Sequence, residues 1–142
     1  MEKKESIGIV LSVIRKTLAK NNFSNMKQSD ISDTLGIDQS TYSRIELGKL
    51  ELKASELFDV LKCLYVSPND FRDLLDIFQH LNEEDFERIV QLYFKLPPRK
   101  FRQVLKSFEH LNNENLDFLD IEIRKTLNDQ INEKKIKRLK AF

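Results

Sequence analysis

Between Gln28 and Lys49 the chain reads QSDISDTLGIDQSTYSRIELGK, and no other stretch limits the fold as tightly. Ile31 and Leu35 form one apolar stripe at helical spacing, Tyr42 and Ile45 form a second, and Gly36 falls between them. This spacing predicts two short helices joined by a tight turn. Gly36 suits the end of the first because a residue without a β-carbon enters the left-handed region at little cost. Ile37 then drops an apolar side chain into the angle between the helices, and Asp38 is expected to cap the second by accepting the amide hydrogens of Ser40 or Thr41. Gln39, Ser40, Thr41, Ser43, Arg44 and Leu47 are left facing outward, and all but Leu47 can hydrogen-bond.

Such a face has two readings. Any solvated helix surface contains Gln, Ser, Thr and Arg. A helix that reads DNA also needs short donors and acceptors with a long fork, and Gln and Arg are the side chains whose bidentate geometry fits adenine and guanine. The wider stretch favours the second reading, because it resembles the Cro/CI type of helix-turn-helix, the lambda-repressor-like (XRE) family of bacterial and phage regulators. Gln28, Ile31, Ser32, Leu35, Gly36, Ile37, Gln39, Ser40, Thr41, Tyr42, Ser43, Arg44, Ile45, Glu46, Gly48 and Lys49 stand where that family's pattern expects them or a close equivalent.

The resemblance covers about residues 7 to 72 and implies an all-α, five-helix domain that binds double-stranded DNA. The implied site is Gln28, Gln39, Ser40, Thr41, Ser43, Arg44 and Lys49. Arg44 would read a guanine and Gln39 an adenine or a phosphate, while Ser40, Thr41 and Ser43 fill in base-edge and backbone contacts. Gln28 would point its amide at a phosphate, and Lys49, with Lys53 beside it, would hold the DNA backbone from the loop after the second helix. On the first helix, set by Ile7, Val10, Leu11, Ile14 and Leu18, Arg15 occupies the slot from which the family sends an arginine to the glutamate that here is Glu46. The chain departs from the pattern twice. The connection from Ala19 to Lys27 is longer than the family's, and Lys27 stands where a Ser or Thr cap is usual. Because lysine cannot accept amide hydrogens, the cap is expected to move back to Asn25, with Gln28 completing a capping box.

Beyond Lys49, Ala54, Leu57, Phe58, Leu61 and Leu64 predict an inward-facing fourth helix, with Leu50 and Leu52 pinning the loop before it. Ser67 and Pro68 predict the start of a fifth, with Asp70 in its first turn. Residues 71–142 continue as helices. FRDLLDIFQHLNEED from Phe71 and FRQVLKSFEHLNNEN from Phe101 align at an offset of 30 residues, either a duplicated helical hairpin or two amphipathic helices that happen to end alike. Asn82 is expected to cap a helix bearing Phe86, Ile89, Val90, Tyr93 and Phe94 that stops before Pro97 and Pro98. A last helix from near Asn113 carries Leu116, Leu119, Ile123, Leu127 and Ile131 towards the basic end, a stripe longer than one small core needs. The expected division is a DNA-binding domain over residues 1–70 and a dimerising helical region over 71–142.

Composition agrees with helices: three Gly, three Pro and no Trp among 142 residues, with 33% charged. The first 70 residues hold ten Lys/Arg against ten Asp/Glu, so DNA affinity has to come from local clusters rather than a broad cationic field. Cys63 reads as a buried, reduced thiol, and the lack of a signal peptide or transmembrane run predicts a soluble cytoplasmic protein with no membrane partner. His80 and His110 show no metal-ligand spacing, no Gly-rich phosphate loop exists, and no nucleophile has a base at a tell-tale distance in sequence. No enzyme, metal or cofactor is therefore expected. The expected function is a homodimeric repressor on an inverted-repeat operator; the alternative is an antitoxin or adaptor that keeps this fold and grips a protein or peptide through its C-terminal helices.

Overall fold

In α1 (Lys3–Lys20) apolar residues recur every three or four positions, and Val10, Leu11, Ile14 and Leu18 are fully buried. A computed structural model of the chain describes residues 3–21, 23 and 26–109, and all regular structure among them is helical. After α1 come α2 (Gln28–Leu35), α3 (Gln39–Glu46), α4 (Ala54–Cys63) and α5 (Pro68–Phe78), followed by α6 (Glu83–Lys95) and α7 (Pro98–Glu109). The chain divides into two compact units, Met1–Gln91 and Leu92–Phe142. In the first, α1 packs on α3 and α5, α2 on α3 and α4, and α4 on α5. Ile31, Tyr42, Ile45, Leu61, Leu64 and Leu74 are buried along with the apolar stripe of α1, as the all-α, five-helix expectation requires.

The α1–α3 contact is closer than side chains permit. A β-carbon on Gly8 would stand 2.4 Å from the carbonyl oxygen of Ile45 and 2.7 Å from that of Glu46. Backbone therefore lies on backbone at the C-terminal end of α3. Gly36, at φ 70°, ends α2 as expected, its N–H donating to Asp33 O at 3.2 Å and that of Ile37 to Ser32 O at 3.0 Å. Gly48, at φ 75°, closes α3 in the same way.

Four cap and packing expectations need correction. Asn25 lies outside the described residues, and the cap position of α2 belongs to Lys27, whose N–H donates to the Asp30 carboxylate at 3.0 Å. The Asp30 carboxylate thus satisfies the N–H of Lys27 itself, the reciprocal half of a capping box, while the lysine side chain makes no capping bond. Asp38 is at the N-terminal boundary of α3 in extended conformation, yet its side chain takes no capping hydrogen bond, and only its carbonyl enters the helix, accepting from Tyr42 N–H at 3.1 Å. On α4, Val60, Leu61 and Leu64 fix the buried stripe, and Phe58 and Cys63 fall about 110° to either side of its centre at helical spacing. Phe58 is accordingly 48% exposed and Cys63 half-buried, where both were expected inside.

The fifth and sixth helices begin as expected. Ser67 Oγ accepts Asp70 N–H at 3.2 Å ahead of Pro68, and Asn82 Oδ1 accepts Asp85 N–H at 2.8 Å. Phe78 meets Phe86 edge to face at 5.1 Å. In the second unit, Tyr93 sets its ring edge to face against Phe101 at 5.0 Å. Phe71 and Phe101, the first residues of the two similar stretches, are both buried at the fourth position of a helix opened by a proline. The expected last helix, from Asn113 onward, lies outside the described residues.

Gly8→Ala tests the close approach. The added methyl should cost about 1–3 kcal/mol through overpacking, against roughly 1 kcal/mol gained in helix propensity. A net fall in the denaturant midpoint is expected; a rise would show that α1 stands off from α3.

Candidate nucleic-acid interface

Alternation along α3 separates an anchored side from a presented one. Tyr42 is fully buried, with Ile45 and Glu46 only 4% and 6% exposed. Gln39, Ser40, Arg44 and Leu47 are exposed, and Thr41 and Ser43 are half-buried at the margin. Ser40, Arg44 and Leu47 follow one another at four and three residues and so share a helix face. Lys49 is exposed just past Gly48, and its backbone N–H donates to Arg44 O at 2.8 Å, which holds the loop against the end of α3.

What fixes this face in direction is a carboxylate beneath it. Arg15 of α1 donates from Nε to Glu46 Oε2 at 2.7 Å and from Nη2 to Oε1 at 2.9 Å, a fork on both oxygens, while Nη1 donates to Met26 O at 3.2 Å. Gln28 of α2 donates from Nε2 to Glu46 Oε1 at 3.0 Å. Three helices therefore converge on one side chain. The Arg15–Glu46 pairing implied by the resemblance is present despite the longer connection after α1. Burial by itself would raise the Glu46 pKa, but the hydrogen bonds from Arg15 and Gln28 hold it below the ordinary carboxylate value. Burial likewise works against the Arg15 charge, and the bonded carboxylate outweighs it, so the guanidinium is held more firmly than usual. Burial beside Glu46 pushes the Tyr42 phenol upward, and the ring serves as a neutral wedge.

The expected residues thus fall into two groups. Gln39, Ser40, Thr41, Ser43, Arg44 and Lys49 line the presented side of α3 and its following loop. Gln28 stands apart: one of its two amide hydrogens is committed to Glu46, so its first role is to brace α3 rather than to reach outward. The Gln28–Glu46 bond and Gly8 are what sequence reasoning missed. Gly8 carried a usable signal, since glycine inside a helix is costly unless another backbone comes close. Among the described residues no group of three or more His, Cys, Asp or Glu is placed to hold a metal ion, and no helix is long and apolar enough to cross a membrane.

Residues 24–71, from just before α2 into α5, match the family model described as Helix-turn-helix. The match covers about a third of the chain and supports the resemblance of this segment to the Cro/CI-type (XRE) helix-turn-helix of DNA-binding regulators. The chain is also similar to the lysine–tRNA ligases of Streptococcus pyogenes serotypes M5, M6 and M18, each 31% identical over 91 residues. That match takes in 58% of this chain and 18% of each ligase, so the chain spans less than a fifth of the length of these curated relatives. No solved structure matches the chain.

Removing one partner of the buried pair leaves a stranded charge. Arg15→Ala should cost about 3 kcal/mol or more, read as a shift in the denaturation midpoint. The depressed Glu46 pKa gives the sign of the acid response: the pair's stabilisation is in place above the ordinary carboxylate value of 4.5 and is lost as pH falls through the lower folded value. The stability advantage of the parent over Glu46→Gln should therefore shrink on acidification below pH 4.5. An advantage independent of pH would mean that the Glu46 carboxyl titrates alike in the folded and the unfolded chain.

Proposed function

We propose that the protein is a sequence-specific transcriptional regulator of the cytoplasm, a homodimeric repressor that lays α3 in the major groove of an inverted-repeat operator. The observation that carries this reading is the exposed stripe of Ser40, Arg44 and their neighbours, held over a buried Glu46 by side chains from two other helices. A rigid helix with its polar side outward meets the requirement for direct readout, where donors have to arrive at base edges already aimed. Arg44 is assigned to a guanine and Gln39 to an adenine or a phosphate, with Ser40, Thr41 and Ser43 completing the contacts. Lys49 holds the backbone, and Gln28 uses its remaining N–H for a phosphate near the start of α2. Residues 71–142 supply the two-fold contact that spaces two such helices about one DNA turn, roughly 34 Å, apart. The protein works by binding, without a cofactor or a catalytic step.

Selection of bound sequences from a random DNA pool, followed by titration, tests the assignment. Arg44→Ala should lose about 1–3 kcal/mol on the selected sequence and relax preference at one base pair, whereas Lys49→Ala should weaken all sequences alike. An equal loss for Arg44→Ala on every sequence would reassign Arg44 to the phosphates. Sedimentation of the full chain should find a dimer at binding concentrations, and a monomer there would remove the two-fold operator from the reading. Selection that returns no preferred sequence would favour the adaptor or antitoxin alternative.

A further inference from the structure

Three helices end in the same hydrogen-bonded turn, and only one of those turns is made by the wrong residue for it. Behind α2 and α3 the left-handed position is taken by Gly36 and Gly48; behind α4 it is taken by Tyr65, at φ 58°. Tyr65 N–H donates to Lys62 O at 3.3 Å and Val66 N–H to Leu61 O at 3.1 Å, repeating the pattern of the other two. A side chain in that region is strained. Burial does not compensate, because Tyr65 is 65% exposed. Its ring leans on Phe23, itself 46% exposed, with centroids 5.9 Å apart. Two large aromatic rings therefore stand together in solvent at a position where glycine would close the turn without strain.

Beside them lies a groove of about 340 Å³. It is lined by the buried Met26 and Ile31, by Asp30, Asp33 and Thr34 of α2, and by Cys63 and Tyr65 at the end of α4. Among the described residues the lining contains two carboxylates and no Lys, Arg or His. Asp33 is exposed, and Asp30 carries the Lys27 N–H on one oxygen only. The charge of the groove is thus of a single sign next to an aromatic platform. Its chemistry complements a chain that offers cations and apolar side chains in alternation.

We propose that this groove docks a cationic, amphipathic peptide segment of a partner protein. An apolar side chain of the segment packs on Tyr65 and Phe23, and a neighbouring Lys or Arg faces Asp33 and Asp30. The surface does not depend on α3 reading DNA, because none of its residues lies on α3. It would let a second protein sit on the helix-turn-helix while the presented side of α3 stays clear.

The full chain titrated with a short synthetic peptide alternating lysine with leucine and phenylalanine provides the test. Binding in the micromolar range is expected, with none for the same peptide carrying glutamate in place of lysine. Asp33→Asn and Tyr65→Gly should each weaken it roughly tenfold or more, equivalent to about 1.4 kcal/mol. Tyr65→Gly should keep its melting temperature within a few degrees of the parent, since the lost ring contact is set against a relaxed turn, so weaker binding cannot be put down to unfolding. Asp59→Asn, which removes an exposed carboxylate of α4 outside the groove, should bind like the parent. Equal loss for Asp59→Asn, unchanged binding by Tyr65→Gly, or equal affinity for the glutamate peptide would overturn the proposal. So would dissociation of a dimer by Tyr65→Gly, which would give the groove to a second copy of this chain.

Discussion

The Arg15 guanidinium closes on both oxygens of Glu46 in a space from which water is largely excluded, with side chains only 11% and 4% exposed, and the orientation of α3 follows from that contact. A pair of this kind is not in itself a strong stabiliser, because desolvating two ions offsets much of their attraction. Its value here is directional. A planar fork meets a carboxylate in few geometries, so it fixes the roll of α3 about its own axis as well as its distance from α1. Gln28 adds a third point from α2 on the same carboxylate. With Tyr42 and Ile45 wedged beneath, rotation of the helix would break charged and apolar contacts together.

Packing reinforces the same geometry by a different force. At Gly8 the α1 backbone rests on the last carbonyls of α3, where any β-carbon would force the helices apart. Dispersion between close-packed main chains falls off steeply with distance, so the contact resists sliding as well as separation. Electrostatics thus sets the angle of α3 and sterics sets its depth. The polar side chains facing outward take no part in either, which leaves their identity open to be chosen for recognition.

Much of this was legible in the sequence. The apolar spacing of Ile31, Leu35, Tyr42 and Ile45 placed α2 and α3 because burial has to follow helical period, and Gly36 marked the turn because few other residues accept its φ. Ser67 with Pro68, and Asn82 ahead of an acidic turn, located the starts of α5 and α6 because capping is local chemistry. What was illegible depended on the third dimension. Sequence spacing places Phe58 inside, but α4 carries more apolar residues than its buried stripe can hold, and only the positions of its neighbours decide which are left out. The amide of Gln28 could face a phosphate or Glu46 equally well until α2 and α3 were brought together. Asp38 occupies the boundary expected of it but leaves the work to its main chain, a rotamer choice that residue identity does not reveal.

The seam between Gly8 and the end of α3 also bears on how this surface meets anything placed against it. Loops that recognise a target generally lose conformational freedom on contact, and affinity is reduced by that loss. A helix locked main chain to main chain has already lost it on folding. Encounter then requires only that a few exposed side chains settle into one rotamer each, so discrimination between targets comes from the fit of those side chains rather than from adjustment of the scaffold.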